Sequence, residues 1–325
     1  MHIKLSNPRG FCAGVRMAID IVDEVLDSMG QEERLYVYHE IVHNTHVVER
    51  LKNRGAIFVD HIHEVPEHSV VIFSAHGVSP AIRKEAEQRS LVCIDATCPL
   101  VTKVHYEAIR YAKRGWQIIL IGHKNHQEVV GTQGEAPDSI QIVESPEDIQ
   151  YLKINDPKKL VYLTQTTLSV DDAKQIISAL VNKYPEIHSP PSDDICYATT
   201  NRQTAVREDS KDADLVIVVG SQNSSNSKRL AEIAQNSGKP AYLIDDVDQL
   251  DKKWFKKQQT VLITAGASAP EHLVNEIVTE LKKTFSATVL SEAEVDEGMS
   301  FSMPVSLMNF IKSKNVTIDG KNNEQ

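Results

Sequence analysis

Short apolar runs recur along the chain, each closing on a small polar turn and leading into a stretch whose apolar positions follow helical spacing. Three sets of such runs share a layout. VVIFSAHGVSP from Val70, LVYLTQTTLSV from Leu160 and TVLITAGASAP from Thr260 form one set; LYVYHEIVHNTH from Leu35, IILIGHKNHQEV from Ile118 and VIVVGSQNSSNS from Val216 form a second. AIFVD from Ala56, IQIVES from Ile140 and AYLIDD from Ala241 form a third, ending in acidic turns. Self-similarity of this kind is the mark of repeated supersecondary units, and runs of strand length alternating with helical stretches predict an α/β fold with parallel sheets. We expect three related α/β units, 1–92, 93–190 and 191–285, arranged as a trefoil, and a C-terminal tail, 286–325, whose polar end, from Lys314, frays.

The cysteines keep the same register. Cys12, Cys98 and Cys196 each follow a short apolar stretch and precede a predicted helix, at steps of 86 and 98 residues; the polar turns at His43, His126 and Ser224 step by 83 and 98. After Cys12 the positions Val15, Ala18, Ile19, Val22, Val25 and Leu26 make an apolar stripe that Gly30 stops, and Val101, Val104, Ala108 and Ala112 repeat it after Cys98. The stretch after Cys196 is more polar, with Asn201, Arg202 and Gln203 in its first turns. Cys93 stands outside the register, inside the strand LVCID, and reads as a core thiol.

Ligands of open α/β sheets bind beyond the carboxyl ends of the strands, where turns enter helix N-termini. Three units around a pseudo-threefold axis would bring three cysteines and three polar turns to one cavity. Three thiolates suit zinc with an open position, or an iron-sulfur cluster lacking a fourth protein ligand. His43, His76, His126, Ser224, Ser225, Asn226 and Ser268 all stand after strands at predicted helix starts, where free N–H groups favour an anion, and a diphosphate is the natural candidate. The alternative for each Ser or Asn is an N-cap alone. Glu128, two residues beyond His126, would have its charged form disfavoured beside an anion, as a proton donor requires; the other reading is a carboxylate at a helix start. Thr166 and Thr167 are placed to relay a proton or bind a hydroxyl, or to cap the next helix. His39, Glu40 and His43 spell H-E-x-x-H, a zinc motif on a helix, but LYVYHEIV reads as strand and turn. The remaining histidines, His105 among them, read as surface or capping residues.

Composition narrows the partners. With 45 acidic and 35 basic residues the net charge is −10, which argues against nucleic acid. No apolar run reaches the ~20 residues that span a bilayer, and MHIKLSNPRG lacks a signal-peptide core, so a cytoplasmic setting with reduced thiols is expected. No G-x-G-x-x-G follows a strand, so no nicotinamide or flavin fingerprint is present.

Taken together, NPRGFCAGV, HEIVHN, FSAHGVS, DATCPLVTKVH, GHKNHQEVVGT, TQTTLSV, DICYATTNRQ, VGSQNSSNSKRL and TAGASAP resemble the 4-hydroxy-3-methylbut-2-enyl diphosphate reductase (IspH or LytB) family over residues 7–270. The resemblance implies a trefoil around one [4Fe-4S] cluster per chain, held by Cys12, Cys98 and Cys196, and reduction of an allylic alcohol diphosphate to isopentenyl and dimethylallyl diphosphates. It implies His43, His76, Ser224, Asn226 and Ser268 as diphosphate ligands with Ser225 close by, and His126 as a substrate-orienting group. Glu128 then matches the proton donor, Thr166 and Thr167 stand near the substrate hydroxyl, and a ferredoxin or flavodoxin supplies electrons. The basic run Lys252, Lys253, Trp254, Phe255, Lys256, Lys257 is one candidate face for an acidic carrier, or a solvated amphipathic segment. Arg16 and Met17 stand where the family usually has an acidic residue and then arginine. The competing functions are a zinc hydrolase of a phosphorylated metabolite and a non-catalytic iron-sulfur sensor.

Overall fold

The computed structural model describes residues 1–30, 32–290 and 295–322, the stretch 315–322 as backbone alone. In chain order the first third comprises β1 (His2–Leu5), α1 (Ala13–Ser28), β2 (Leu35–Tyr38), α2 (Thr45–Asn53), β3 (Ala56–Val59), β4 (Val70–Phe73), α3 (Pro80–Gln88) and β5 (Val92–Asp95). Then come α4 (Pro99–Lys113), β6 (Gln117–Ile121), α5 (Gln127–Glu135), β7 (Ile140–Val143), β8 (Leu160–Thr164), α6 (Val170–Lys183) and α7 (Tyr197–Asp209). The last part holds β9 (Leu215–Val219), α8 (Ser225–Asn236), β10 (Ala241–Ile244), β11 (Thr260–Ala265), α9 (Glu271–Phe285), β12 (Thr288–Val289) and α10 (Val305–Asn322).

The strands form three parallel sheets in a trefoil-like α/β fold, ordered β3-β2-β4-β5, β7-β6-β8 and β10-β9-β11-β1-β12. Every sheet thus repeats one order: a strand of the third sequence set, then the second, then the first. Strands such as β4 (VVIF) and β9 (LVIVV) are buried at every position, as expected where helices cover both faces of a parallel sheet. Gly30 follows α1 and Gly115, at positive φ, follows α4, so both predicted helix stops hold.

Sheet membership crosses the unit limits read from the sequence. β1, which leads to Cys12, lies in the third sheet with Ile3 opposite Val261, and β5, which leads to Cys98, lies in the first sheet with Ile94 opposite Ile72. Before Cys196 an isolated parallel bridge joins His188 to Val161 of β8. The segment ahead of each cysteine therefore runs beside a strand of the first set, and the earliest strand of the chain completes the last unit. Strand pairing at this range leaves no trace in local spacing.

Described parts of the tail join the fold. Thr288 and Val289 extend the third sheet beside β1, and Leu307 and Phe310 of α10 are buried in the core shared with α1 and β2. The polar end expected to fray is helical as far as Asn322; residues 323–325 lie outside the described residues.

Candidate functional site

Each of Cys12, Cys98 and Cys196 sits at the N-cap of a helix, α1, α4 and α7. Their backbone N–H groups donate to Ala267 O at 3.1 Å, Ala75 O at 3.0 Å and Thr166 O at 3.0 Å. Those acceptors belong to the turns after β11, β4 and β8, so one hydrogen bond, repeated in each unit, hangs a cysteine beside a polar turn. All three cysteines line a single cavity of about 100 Å³. The convergence inferred from the register is present.

Burial pushes the Cys98 thiol up to about 12 and that of Cys196 to about 11, and raises Cys12 as well. Backbone N–H groups of the helix starts oppose this, from Leu100 and Val101 at Cys98, from Thr199 at Cys196 and from Val15 and Gly14 at Cys12. Amides aimed at sulfur suit thiolates, which require a positive partner when dry. A Cβ on Gly14 would lie 2.6 Å from Cys98 Sγ, so the first turn of α1 is hollowed out to admit that sulfur. Among the described residues no group of three His, Cys, Asp or Glu is arranged to hold a single metal ion. Three thiols lining one cavity are the donor set for an iron-sulfur cluster that leaves one iron without a protein ligand, or for zinc with an open position. Cys93 has no part in this. It sits half-buried on β5, its thiol within 3.6 Å of Leu91 O.

His43, His76, His126, Ser224, Ser225, Asn226 and Ser268 line the same cavity. The His43 and His76 rings stack at 4.1 Å, with His126 edge-on at 5.4 Å and 5.9 Å. Desolvation, reinforced by the neighbouring His43, lowers His126 to about 3 and holds His76 well below the usual imidazole range. Ser224 caps α8 through the Ser227 N–H at 3.3 Å, Ser268 Oγ donates to His43 O at 2.8 Å, and Ser225 Oγ to Thr167 O at 3.2 Å. Capping and cavity lining are thus combined in Ser224. The telling residue is Asn226, 4 % exposed, whose Oδ1 and Nδ2 both lack a protein partner. A buried amide left unsatisfied costs ~1–3 kcal/mol, and a polar ligand in the cavity would relieve it. No Lys or Arg lines this cavity among the described residues.

Glu128, in the first turn of α5, is 3 % exposed. Its Oε1 accepts from the Thr166 N–H at 2.6 Å and its Oε2 from Thr166 Oγ1 at 3.0 Å. Burial outweighs both bonds and raises its carboxyl to about 7. The group therefore holds or releases a proton near neutrality. Thr166 also accepts from Cys196, so one threonine ties carboxyl to cysteine. The Thr167 hydroxyl accepts from Gln165 Nε2 at 3.0 Å and lines the cavity.

The H-E-x-x-H residues lie past the end of β2 and not on a helix, as the strand-and-turn reading expects: His39 adopts φ +59° and turns to Asp60, while Glu40 binds His43. Other expectations are revised. His105 is 3 % exposed and bonds Glu135 at 2.8 Å, so it is a buried residue rather than a surface one. In the basic run, Trp254 stacks on Tyr242 at 3.8 Å and Phe255 is buried, so the aromatics anchor the segment. Met17 is buried in the first core and Arg16 is exposed. Sequence reading passed over Thr199, whose hydroxyl lies 3.2 Å from Cys196 Sγ, and Arg202, wholly buried on α7 with bonds to Gly10 O and to Glu297. Thr199 stands three residues past a helix-capping cysteine, a spacing that carries the signal for the first; the polar start of α7 carries it for the second.

The LytB protein family matches residues 3–282. A 4-hydroxy-3-methylbut-2-enyl diphosphate reductase of Rhodopirellula baltica is 55 % identical over 310 residues, covering 95 % of this chain and 97 % of that protein. One of the same name from Idiomarina loihiensis is 52 % identical over 94 % of this chain and 98 % of its own length. Among solved structures, the E-1-hydroxy-2-methyl-but-2-enyl-4-diphosphate reductase of Plasmodium falciparum superposes with a TM-score of 0.91 at 42 % identity, covering 96 % of this chain and 98 % of that one. A second structure, described as (E)-4-hydroxy-3-methyl-but-2-enyl diphosphate reductase, the terminal enzyme of the non-mevalonate pathway, superposes at 0.62 with 30 % identity, over 87 % and 99 % of the two chains.

Proposed function

Because the chain belongs to the LytB protein family, we propose that it is a 4-hydroxy-3-methylbut-2-enyl diphosphate reductase, acting at the end of the non-mevalonate isoprenoid route. The reaction removes the allylic hydroxyl: two electrons and two protons enter, the C–O bond breaks, water leaves and a C–H bond forms. A delocalised allylic fragment accepts that proton at either end, which accounts for isopentenyl and dimethylallyl diphosphates as products.

Cys12, Cys98 and Cys196 would hold one [4Fe-4S] cluster. When bound, the cluster supplies one-electron transfer and a Lewis-acidic iron for a reluctant leaving group. Everything else falls to the side chains. His43, His76, Ser224, Asn226 and Ser268 bind the diphosphate, with Ser225 beside them, and His126 orients the substrate. Glu128 delivers the proton that turns the departing hydroxyl into water. Its carboxyl, raised to about 7, is protonated in a useful fraction at neutral pH and strong enough an acid to donate. Thr166 aims it and Thr167 stands near the substrate hydroxyl. The observation that carries this reading is one cavity lined by all three registered cysteines, the raised carboxyl and the unsatisfied Asn226.

Electrons come from a ferredoxin or flavodoxin in this proposal, and the setting is cytoplasmic. No helix among the described residues is long and apolar enough to cross a membrane. Anaerobic protein should contain iron and sulfide and should reduce the allylic diphosphate with a one-electron donor; zinc without sulfide would favour hydrolysis instead. Glu128→Gln should keep iron, sulfide and pyrophosphate affinity while losing turnover by about 10²-fold or more. Undiminished turnover in that variant refutes the assignment of the proton donor.

A further inference from the structure

Among the described residues the diphosphate cavity is lined by three imidazoles and no Lys or Arg, and their hydrogen bonds divide the imidazoles into different kinds of donor. His126 Nδ1 accepts the Glu128 N–H at 3.2 Å, so its proton is on Nε2 and the neutral ring can donate into the cavity. His76 Nδ1 meets the Ser74 hydroxyl at 3.2 Å, a partner that donates or accepts and fixes nothing. His43 is different. Its Nδ1 lies 3.0 Å from Glu40 Oε2, and a carboxylate accepts, so Nδ1 carries the proton and a neutral ring would turn a lone pair toward the anion. To donate from Nε2, His43 must hold two protons and a positive charge.

We propose that Glu40 is a positioning residue that makes His43 the cation of the diphosphate site, so that the anion binds with uptake of one proton on His43 Nε2. The proton comes from solvent and returns when the anion leaves. Glu40 is itself fixed, since the same Oε2 accepts from Asn223 Nδ2 at 2.7 Å, one residue before Ser224 of the third unit. The bond to His43, the largest influence, keeps the Glu40 carboxyl below the usual range, so the carboxylate persists to balance the imidazolium. The titratable groups around His43 are His39 and Glu40 from its own loop, His76 from the turn after β4 and His126 from the start of α5. Among the described residues the third unit contributes uncharged partners, Asn223 through Glu40 and Ser268. Of these groups Glu40 alone is an anion, which singles out His43 among the three rings. The inference rests on the diphosphate reading above.

Calorimetry of the cluster-loaded protein with inorganic pyrophosphate at pH 8, run in two buffers of different ionisation enthalpy, counts protons taken up. Glu40→Gln preserves the shape of the dyad and removes the negative charge that balances the imidazolium, whichever amide atom faces Nδ1. We expect the variant to take up about one proton fewer than wild type and to bind about tenfold more weakly, the scale of a hydrogen bond to a charged group; pyrophosphate's own ionisation is common to both and cancels. His43→Gln should show the same lowered count, which keeps the test decisive if Glu40→Gln fails to fold. Equal counts in wild type and variants overturn the inference while leaving the diphosphate reading intact. Failure of wild type to bind pyrophosphate at all overturns both.

Discussion

Thr166→Val isolates one hydroxyl. The substitution keeps the β-branched shape and the Thr166 N–H bond to Glu128 at 2.6 Å, and deletes only the Oγ1 donor at 3.0 Å from Oε2. A hydrogen bond to a charged group contributes ~1.5–3 kcal/mol, and one pKa unit corresponds to ~1.36 kcal/mol, so the Glu128 carboxyl should rise from about 7 to about 8–9. In its proposed role Glu128 must be protonated to donate, so turnover should fall as the pH climbs through that value, and the alkaline limb of the kcat profile should move up by about 1–2 pH units. The assay is steady-state turnover with a one-electron donor from pH 6 to pH 10, with iron content measured at each pH. Unfolding gives a second readout. The folded carboxyl is raised from 4.5 to about 7, so its contribution to stability is fully present below pH 4.5 and is lost as the pH rises through about 7. The variant should therefore lose more stability against wild type at pH 9 than at pH 5. An alkaline limb that stays in place or moves down refutes the role of the hydroxyl and of Glu128 as the titrating acid.

Gly14→Ala places a methyl 2.6 Å from Cys98 Sγ, and overpacking of that kind costs ~1–3 kcal/mol; purified variant should hold much less iron and sulfide than wild type at similar helical content by circular dichroism, and full loading would disprove the steric argument. Glu297→Ala strands the buried Arg202 guanidinium, which among the described residues keeps the Gly10 and Ala198 carbonyls. Urea unfolding should show a loss of about 2–3 kcal/mol, below the ~3–5 kcal/mol of a wholly buried pair because Glu297 is partly exposed and those carbonyls remain; no shift in midpoint would count against the clasp.

Local pattern carried much of the architecture. The strand sets at Val70, Leu160 and Thr260, and their counterparts, predict three related units, each of which takes equivalent places in its sheet, and the cysteine register predicts the shared cavity. Position along the chain reveals which residues are equivalent, because equivalent residues repeat at similar spacing. It does not reveal pairing between distant segments, so the place of β1 in the third sheet was hidden, as was the grip of Thr166 on Glu128 across 38 residues. His105 misled for the same reason: nothing beside it in sequence announces that Glu135 waits in the core to satisfy it. Glu40 was legible only as part of a zinc motif, since Asn223, which fixes it beside His43, lies 183 residues further along the chain.

The position of β1 also sets an order of manufacture. A ribosome releases Cys12 first of the three thiols, yet Ile3 must wait for Val261 and the Cys12 amide for Ala267 before either has a partner. Cys98 hangs from Ala75, and Cys196 from Thr166, each upstream of the cysteine it holds. The first of the proposed ligands to be made is therefore the last to be seated, and a growing chain would offer at most two of the three seated thiols until Ala267 had emerged.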